Sequence, residues 1–350
     1  MKAAVLVRQN EALDICELEL PRLDIGQVLV KVEHSGICGK QIDEITGRQG
    51  ADKHLPHLLG HEGGGEVVEI GPGVKKVKPG DRVVMHWVKG SGIDSAPPRF
   101  AHKGREISAG WVTTFSNYTI ASENRLTPVP RGAKSDVMAL LGCAVTTGLG
   151  IVFNNARLRP GQSIAVFGVG GVGLNVVQGA ALVNAYPIVA LDKSDEKLAF
   201  ATRFGATHTV NVDKVDAAMA LAELSRGEGF DAVVDTTGVN RVRETAYDAT
   251  HPKTGTTILC GVPFAGDRLS IDSFPLHMGR RVIGSHGGDT VPDTDIPRYF
   301  ELYRLGKLKL DELITNRFTL GEINDAVALV RAGQACGRCV VAMDGHRHQA

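Results

Sequence analysis

The chain has 350 residues, 43% of them hydrophobic and 22% charged, and Lys+Arg and Asp+Glu each number 39, so the formal charge is zero. That length exceeds one ordinary domain and predicts two domains sharing a cleft, while the balanced charge gives no electrostatic reason to expect nucleic acid or an anionic membrane as partner. No apolar run approaches the roughly 18 residues of a membrane span, and the apolar stretch before Arg8 is too short for a signal peptide. The six cysteines, at 16, 38, 143, 260, 336 and 339, do not frame a disulfide scaffold. A cytoplasmic enzyme is the expectation.

Residues 1–144 read as short strands and turns, with β-rich runs at 28–32 and 82–85 and turn clusters at Gly71-Pro72-Gly73 and Lys78-Pro79-Gly80-Asp81. From 145 to 287 the pattern becomes strands alternating with helices. Strands are predicted at 163–167, 187–191, 207–211, 230–235, 256–262 and 281–284, and helices between them include 195–204 and 215–225. This succession predicts an α/β domain with a doubly wound parallel Rossmann sheet. Residues 288–350 add helices near 296–305 and 320–331 and a strand at 339–342, and with no linker in sight they are expected to pack back onto the first domain. Cys336 and Cys339 form a Cys-x-x-Cys pair, but no second pair stands nearby, so packing is the expected role. Residues 345–350, with His346 and His348, read as a frayed terminus.

The run Ser163-Ile164-Ala165-Val166-Phe167 leads straight into Gly168-Val169-Gly170-Gly171-Val172-Gly173, and a helical apolar pattern follows. A G-x-G-x-x-G between strand and helix is the dinucleotide fingerprint. Gly168 permits the tight turn, Gly170 lets backbone approach the pyrophosphate, and Gly173 allows close helix–strand packing. The helix start, at Gly171 and Val172, offers unpaired N–H groups to phosphate. Asp192 ends the second predicted strand, where a carboxylate accepts hydrogen bonds from ribose hydroxyls and repels a 2′-phosphate. NAD is therefore expected over NADP, although Lys193 beside Asp192 blunts the discrimination.

Three further segments carry the chemistry: Gly36-Ile37-Cys38-Gly39, Gly60-His61-Glu62 with glycines at 65 and 71 and valine at 74, and Gly142-Cys143-Ala144-Val145-Thr146-Thr147-Gly148. Together with the Rossmann segment and the ending Gly337-Arg338-Cys339-Val340-Val341, they resemble the zinc-containing medium-chain alcohol dehydrogenases over essentially the whole chain. The resemblance implies a mostly β GroES-like catalytic domain (1–144 and 288–350) around an NAD-binding domain (145–287). It also implies one catalytic zinc held by Cys38, His61 and Cys143. Two thiolates and an imidazole with an open fourth position suit such a metal independently of the family. The family's carboxylate matching Glu62 lies close behind the metal and can approach it. The resemblance further places Thr147 and Val172 beside the nicotinamide, Lys197 with Asp192 at the adenosine ribose, and Arg338 at the pyrophosphate. Against these stand plainer roles: Thr147 as a helix start, Val172 as core, and Lys197 and Arg338 as solvated charges.

Two departures from the family stand out. The segment from His86 to Ser95 contains no cysteine, so the four-cysteine lobe that holds a second, structural zinc in many relatives is missing. The position two residues after Cys38, usually Ser or Thr for proton relay, is Lys40. Lys40 could itself relay the proton if its pKa fell beside the metal, bind the cofactor pyrophosphate, contact a polar or anionic substrate, or lie on the surface.

The expected chemistry is hydride transfer between an alcohol and NAD, with zinc as Lewis acid. Lys40, Gln41 and Asp43 near the metal hint at a sugar, cyclitol, amino-alcohol or similar polyol, with a simple primary or aromatic alcohol as the runner-up. Trp87 and Trp111 are candidates for the pocket wall or for ordinary packing. A zinc-free reductase of enones or quinones lacks the cysteine pair; a catalytically silent cofactor-binding protein is the rival from another class. The expected partner is a small-molecule alcohol or carbonyl compound, and the expected assembly is a homo-oligomer, dimer or tetramer.

Overall fold

A computed structural model describes residues 1–343, so the terminal histidines lie outside it. The chain forms two units: Met1–Ala144 together with the chain from Val291 onward, and Val145–Thr290.

The second unit is built on six parallel strands in the order His208–Asn211, Ile188–Asp192, Ile164–Phe167, Ala232–Asp235, Thr256–Leu259, Arg281–Gly284. The first three in sequence run outward in one direction and the last three in the other. The topological switch therefore falls between Ile164–Phe167 and Ala232–Asp235, where a doubly wound sheet opens a crevice at its carboxyl edge. Those two central strands are buried throughout, which is why they read as continuous apolar runs rather than alternating ones. The fifth strand stops at Leu259, short of the predicted 262, because the N–H groups of Cys260 and Gly261 both turn back to the Asp235 carbonyl at 2.9 Å. The unit runs on past 287 to Thr290, because the turn Gly287–Asp289 is tied to it. Asn155 Nδ2 donates to Asp289 Oδ2 at 2.6 Å, and Thr290 Oγ1 donates to the Thr146 carbonyl at 2.9 Å.

The first unit is mostly β. Its central strand, Gln27–Gly36, pairs with Glu62–Ile70, with Tyr118–Ser122 and with the returning strand Arg338–Ala342, all antiparallel. The tail thus closes the sheet that the N-terminal residues begin, and Cys339 is buried within that closing strand. Pro292–Arg304 starts earlier than predicted, since Pro suits a first helical turn and Asp295 Oδ2 accepts the Val291 N–H at 2.8 Å. The helices Gly39–Thr46 and Ser135–Leu141 have no counterpart among the predicted elements. Among the described residues no single helix is long and apolar enough to cross a membrane.

Residues 86–95, the segment without cysteine, and the chain beside it are held by side chains. Glu123 accepts the N–H groups of Lys75, Lys76 and Ile93 at 2.6–2.7 Å. Asp293 accepts the Ser91 N–H at 2.6 Å and pairs with Lys76. His86 is buried, with Nδ1 at 2.7 Å from the Val88 carbonyl and Nε2 at 2.9 Å from Thr127 Oγ1. A carbonyl facing Nδ1 requires a proton there, so in the neutral ring Nε2 can only accept, from a Thr127 hydroxyl that also has Asp293 Oδ1 at 3.2 Å. Burial pushes the His86 pKa down to about 4. Unfolded, the same ring takes its proton near 6.5. The unfolded state then binds more protons between those values, and stability falls as pH drops from about 6.5 to about 4, by up to about 3 kcal/mol. Urea unfolding at pH 7.0, 5.5 and 4.5 should show this loss, and His86→Gln should flatten it; an equal slope in both proteins would rule the histidine out as its source.

Candidate active site

Three glycines place the three metal-ligand candidates. Gly36, two residues before Cys38, ends the central strand, and a Cβ there would stand 2.7 Å from the Glu62 carboxyl carbon. Gly60, directly before His61, has φ +91°, and a Cβ would fall 2.4 Å from Thr114 Oγ1. Gly142, directly before Cys143, packs where a Cβ would reach within 2.3 Å of the Met85 carbonyl and 2.9 Å of Glu62 Cα. Close backbone approach at each position brings distant loops to one point. The ligand atoms of Cys38, His61 and Cys143 lie within 4.8 Å of one another. Among the described residues theirs is the one such group of three.

The donor set fits zinc. Thiolates bound at about 2.3 Å to a tetrahedral zinc stand about 3.8 Å apart; Cys143 Sγ lies 3.9 Å from Cys38 Sγ. His61 Nε2 is buried with no hydrogen-bond partner, as a nitrogen reserved for a metal would be. The thiols also conflict without a cation. The hydrogen bond from Cys143, aided by His61, drives the Cys38 pKa well below the ordinary thiol value. That same hydrogen bond, and burial, hold Cys143 well above it. A divalent ion resolves the conflict, because both ligands then ionise.

Gln41, a helix residue assigned above to the substrate side, instead serves the ligands. Its Oε1 accepts the Cys38 N–H at 2.8 Å, closing the first turn of Gly39–Thr46, and its Nε2 meets His61 Nδ1. Asp43 pairs with Arg48 at 3.4 Å, and Lys40 stands 3.9 Å from Glu44 one turn along the same helix. The polar groups that suggested a hydroxyl-rich substrate therefore each have a partner within this unit. Trp87 sets its ring edge-on to His61, with centroids 6.4 Å apart. Trp111 is 46% exposed, under the guanidinium of Arg125 at 5.6 Å.

Glu62 and Arg338 are both buried and ion-paired through Oε1 and Nη2, while Glu62 Oε2 has no hydrogen-bond partner. Burial raises the Glu62 pKa against the pull of Arg338. Burial works against the charge on Arg338 as well, but Glu62 and the neighbouring cysteines outweigh it and raise its pKa. The two residues are 276 positions apart, so only the closing strand brings them together.

In the second unit, Gly168 has φ +82°, and a Cβ on Gly173 would sit 2.0 Å from the Gly168 carbonyl oxygen. At Gly170, the N-cap of helix Gly171–Leu182, a Cβ would meet nothing within 4 Å, which leaves a cradle for a ligand. Val172 is half-buried in the first helical turn and Thr147 is buried in Ala144–Gly150. Asp192 accepts N–H groups from Val169 at 3.0 Å, Lys193 at 2.8 Å and Ser194 at 3.2 Å, which ties it to the glycine turn. Lys197 is half-buried in the next helix, Asp195–Arg203, whose N-cap Ser194 accepts the Lys197 N–H.

Residues 24–131 match the family model described as the alcohol dehydrogenase GroES-like domain, and residues 171–304 match the zinc-binding dehydrogenase model. The class-3 alcohol dehydrogenase of Cereibacter sphaeroides is 35% identical, over 97% of this chain and 99% of that one. The chain belongs to the zinc-dependent medium-chain alcohol dehydrogenases. An S-(hydroxymethyl)glutathione dehydrogenase of Escherichia coli is 33% identical, over 95% of this chain and 97% of that one. Among solved structures, an alcohol dehydrogenase zinc-binding domain protein from Burkholderia ambifaria superposes with TM-score 0.89 at 29% identity, covering 97% and 98% of the two chains. The benzyl alcohol dehydrogenase of Acinetobacter calcoaceticus gives 0.88 at 26%, covering 98% and 99%. This dehydrogenase is accordingly an enzyme with a Cys38–His61–Cys143 zinc centre, in a family that typically uses NAD.

The Glu62–Arg338 pair yields a stability test. Removing one partner strands a buried charge, which costs about 3–5 kcal/mol, whereas removing both costs much less. Arg338→Met should lose that much in urea unfolding at matched zinc content, and Arg338→Met with Glu62→Gln should recover most of it. A single mutant within about 1 kcal/mol of the wild type would show that the pair carries no such charge.

Proposed function

We propose that this dehydrogenase oxidises a primary alcohol bearing an aromatic or other apolar group, using NAD. The observation that carries the substrate class is the Trp87 ring set edge-on against the ligand His61, 6.4 Å between centroids, an apolar wall beside the metal. The partnering of Gln41, Asp43 and Lys40 within the unit removes the main argument for a polyol. The likeness to a benzyl alcohol dehydrogenase points the same way.

Bound zinc and NAD supply the Lewis acid and the hydride acceptor. The protein's part is charge and position. Two thiolates balance the charge of the metal, and the Gln41 amide lies against His61 Nδ1, the nitrogen that keeps its proton when Nε2 binds zinc and so needs the amide oxygen turned to it. Glu62, its Oε2 uncommitted, is the carboxylate that can approach the metal from behind. On the cofactor side, Asp192 and Lys197 take the adenosine ribose, favouring NAD over NADP. The turn Gly168–Gly173 and the helix start at Gly171 take the pyrophosphate, with Arg338 as a further contact. Thr147 and Val172 flank the nicotinamide. Lys40, half-buried in a long one-turn pair with Glu44, is available to an anionic group of cofactor or substrate. That availability is the observation favouring the second reading, a polar or polyol alcohol. Six cysteines, none of them in a disulfide among the described residues, support a reducing, cytoplasmic setting. Exposed Phe264, Phe274 and Met278, on the stretch leading to the edge strand Arg281–Gly284, support a homo-oligomer.

Elemental analysis should find one zinc per chain, lost in Cys143→Ser; zinc retained by that variant would remove the cysteine from the ligand set. In an NADH-forming assay, benzyl alcohol should be turned over with higher kcat/KM than myo-inositol. Trp87→Ala should lower kcat/KM for benzyl alcohol about fivefold to tenfold, with a smaller change for ethanol. Preference for the polyol, or equal losses for both alcohols, would overturn the aromatic reading.

A further inference from the structure

At the carboxyl ends of Ala232–Asp235, Thr256–Leu259 and Arg281–Gly284 lies a cavity of about 490 Å³, lined by Leu259–Pro263, by Gly284–His286 and by Arg243 and Asp289. It stands across the switch point from the glycine turn, on the half of the crevice that Asp192 and Gly170 do not reach. The two halves are joined by Thr236, whose Oγ1 donates to the carbonyls of Phe167 and Gly168 at 2.9 and 2.8 Å.

Arg243 is the unusual member of this wall. It is 9% exposed, yet its one side-chain hydrogen bond among the described residues runs from Nη1 to Asn240 Oδ1 at 3.2 Å. Its Nε has no hydrogen-bond partner and stands 3.8 Å from Asp235 Oδ2, too far for a hydrogen bond. Asp235 is committed elsewhere: its carboxylate accepts the Thr237 N–H at 2.9 Å, the Thr237 hydroxyl at 2.6 Å and the Gly238 N–H at 3.1 Å. A guanidinium carries five donors; Nε is enclosed beside Asp235, so the donors left for a ligand in the cavity are those on the Nη nitrogens. The charge is balanced by Asp235, but the hydrogen-bonding capacity is not spent, and it borders a cavity. Such a group is built to meet an oxygen acceptor that enters from outside.

We propose that Arg243 is a cofactor-binding residue that donates hydrogen bonds to an oxygen of the nicotinamide–ribose half of NAD in this cavity. The assignment rests on the NAD reading above. A dinucleotide laid across the switch point with its adenosine at Asp192 extends its other half toward these three strand ends. Asp235 then has a double task, shaping the Thr237–Gly238 turn and holding the Arg243 charge in place.

The test compares two ligands that share the adenosine, pyrophosphate and second ribose but differ in the nicotinamide: NADH and ADP-ribose. A third, AMP, reaches only the first half. Binding to wild type, Arg243→Lys and Arg243→Met is measured by calorimetry, with thermal melting as the fold control. Arg243→Met should weaken NADH at least about tenfold, the loss of one charge-assisted hydrogen bond, and leave AMP within about twofold. Arg243→Lys should fall between. ADP-ribose weakened like NADH assigns the acceptor to the ribose, and ADP-ribose unaffected assigns it to the nicotinamide carboxamide; both outcomes support the proposal. Unchanged NADH binding in Arg243→Met, or parallel losses for NADH and AMP, would overturn it while leaving the NAD reading intact. A wild-type chain that binds none of the three would overturn the NAD reading itself and the Arg243 assignment with it.

Discussion

The catalytic unit is organised around one buried carboxylate. Glu62 begins the strand next to the central one, and its backbone carbonyl accepts hydrogen bonds from Ser35 Oγ and Thr114 Oγ1 at 3.0 and 3.1 Å. Its carboxyl group lies under Gly36 and its Cα under Gly142, the glycines that lead into the two ligand cysteines. Its own predecessor in the chain is the ligand His61. The fourth element to converge is the closing strand, which brings Arg338 to its Oε1. All three ligand loops are therefore positioned against the same side chain, and that side chain needs a cation from the far end of the chain to remain ionised while buried. Pairing of Arg338–Ala342 with the central strand is what brings that cation to the metal-ligand loops.

Much of this was legible because the constraints are local in sequence. A glycine one or two residues before each ligand marks a backbone that must approach something closely, and Gly60 with its positive φ shows why no other residue serves. The fingerprint Gly168–Gly173 was equally plain, since turn, phosphate approach and helix packing each demand a glycine at a fixed offset. What escaped were the partnerships. Gln41 sits among residues that all looked like substrate contacts, and only the fold shows its amide turned inward to Cys38 and His61. Arg338 read as a pyrophosphate ligand, and its pairing with Glu62 spans 276 residues with no periodicity to announce it. Arg243 left no signal, being one charged residue in a helix of several. The missing cysteine lobe was visible, but its replacement by Glu123 and Asp293 was not, because a carboxylate that accepts backbone N–H groups has no motif.

The two units solve their problems with different materials. In the cofactor reading proposed above, the ligand-facing atoms of the Rossmann unit are chiefly backbone, a glycine turn and a helix start, with Asp192 strapped to that turn through Val169. Backbone donors lose little conformational entropy on binding, because they are already ordered. In the metal unit the ligand atoms are side chains from three loops, and each must be pinned by something else. Gln41 pins the imidazole, while Gly36 and Gly142 seat the cysteine loops on Glu62. Gln41 and Glu62, which do this pinning, are more deeply buried than Cys38 and His61, as supports that lock a functional side chain should be.

Charge bookkeeping around the metal then bears on what the pocket can recognise. Two thiolates balance a divalent ion, Glu62 is balanced by Arg338, and the group that orients His61 is a neutral amide. Asp43 is matched by Arg48, and Lys40 by Glu44. The imidazole therefore has an aromatic neighbour in Trp87, and the charged groups around it are paired. In such a setting an extra substrate hydroxyl would have to leave water without a dedicated partner, at a cost of roughly 1–3 kcal/mol, whereas an apolar substituent gains from the same burial. The exception is Lys40, whose half-buried pair with Glu44 is long at 3.9 Å. If the substrate is the apolar alcohol proposed above, selectivity against polar alcohols depends on how firmly Glu44 holds that one ammonium, and a substrate carrying its own anion would compete for it.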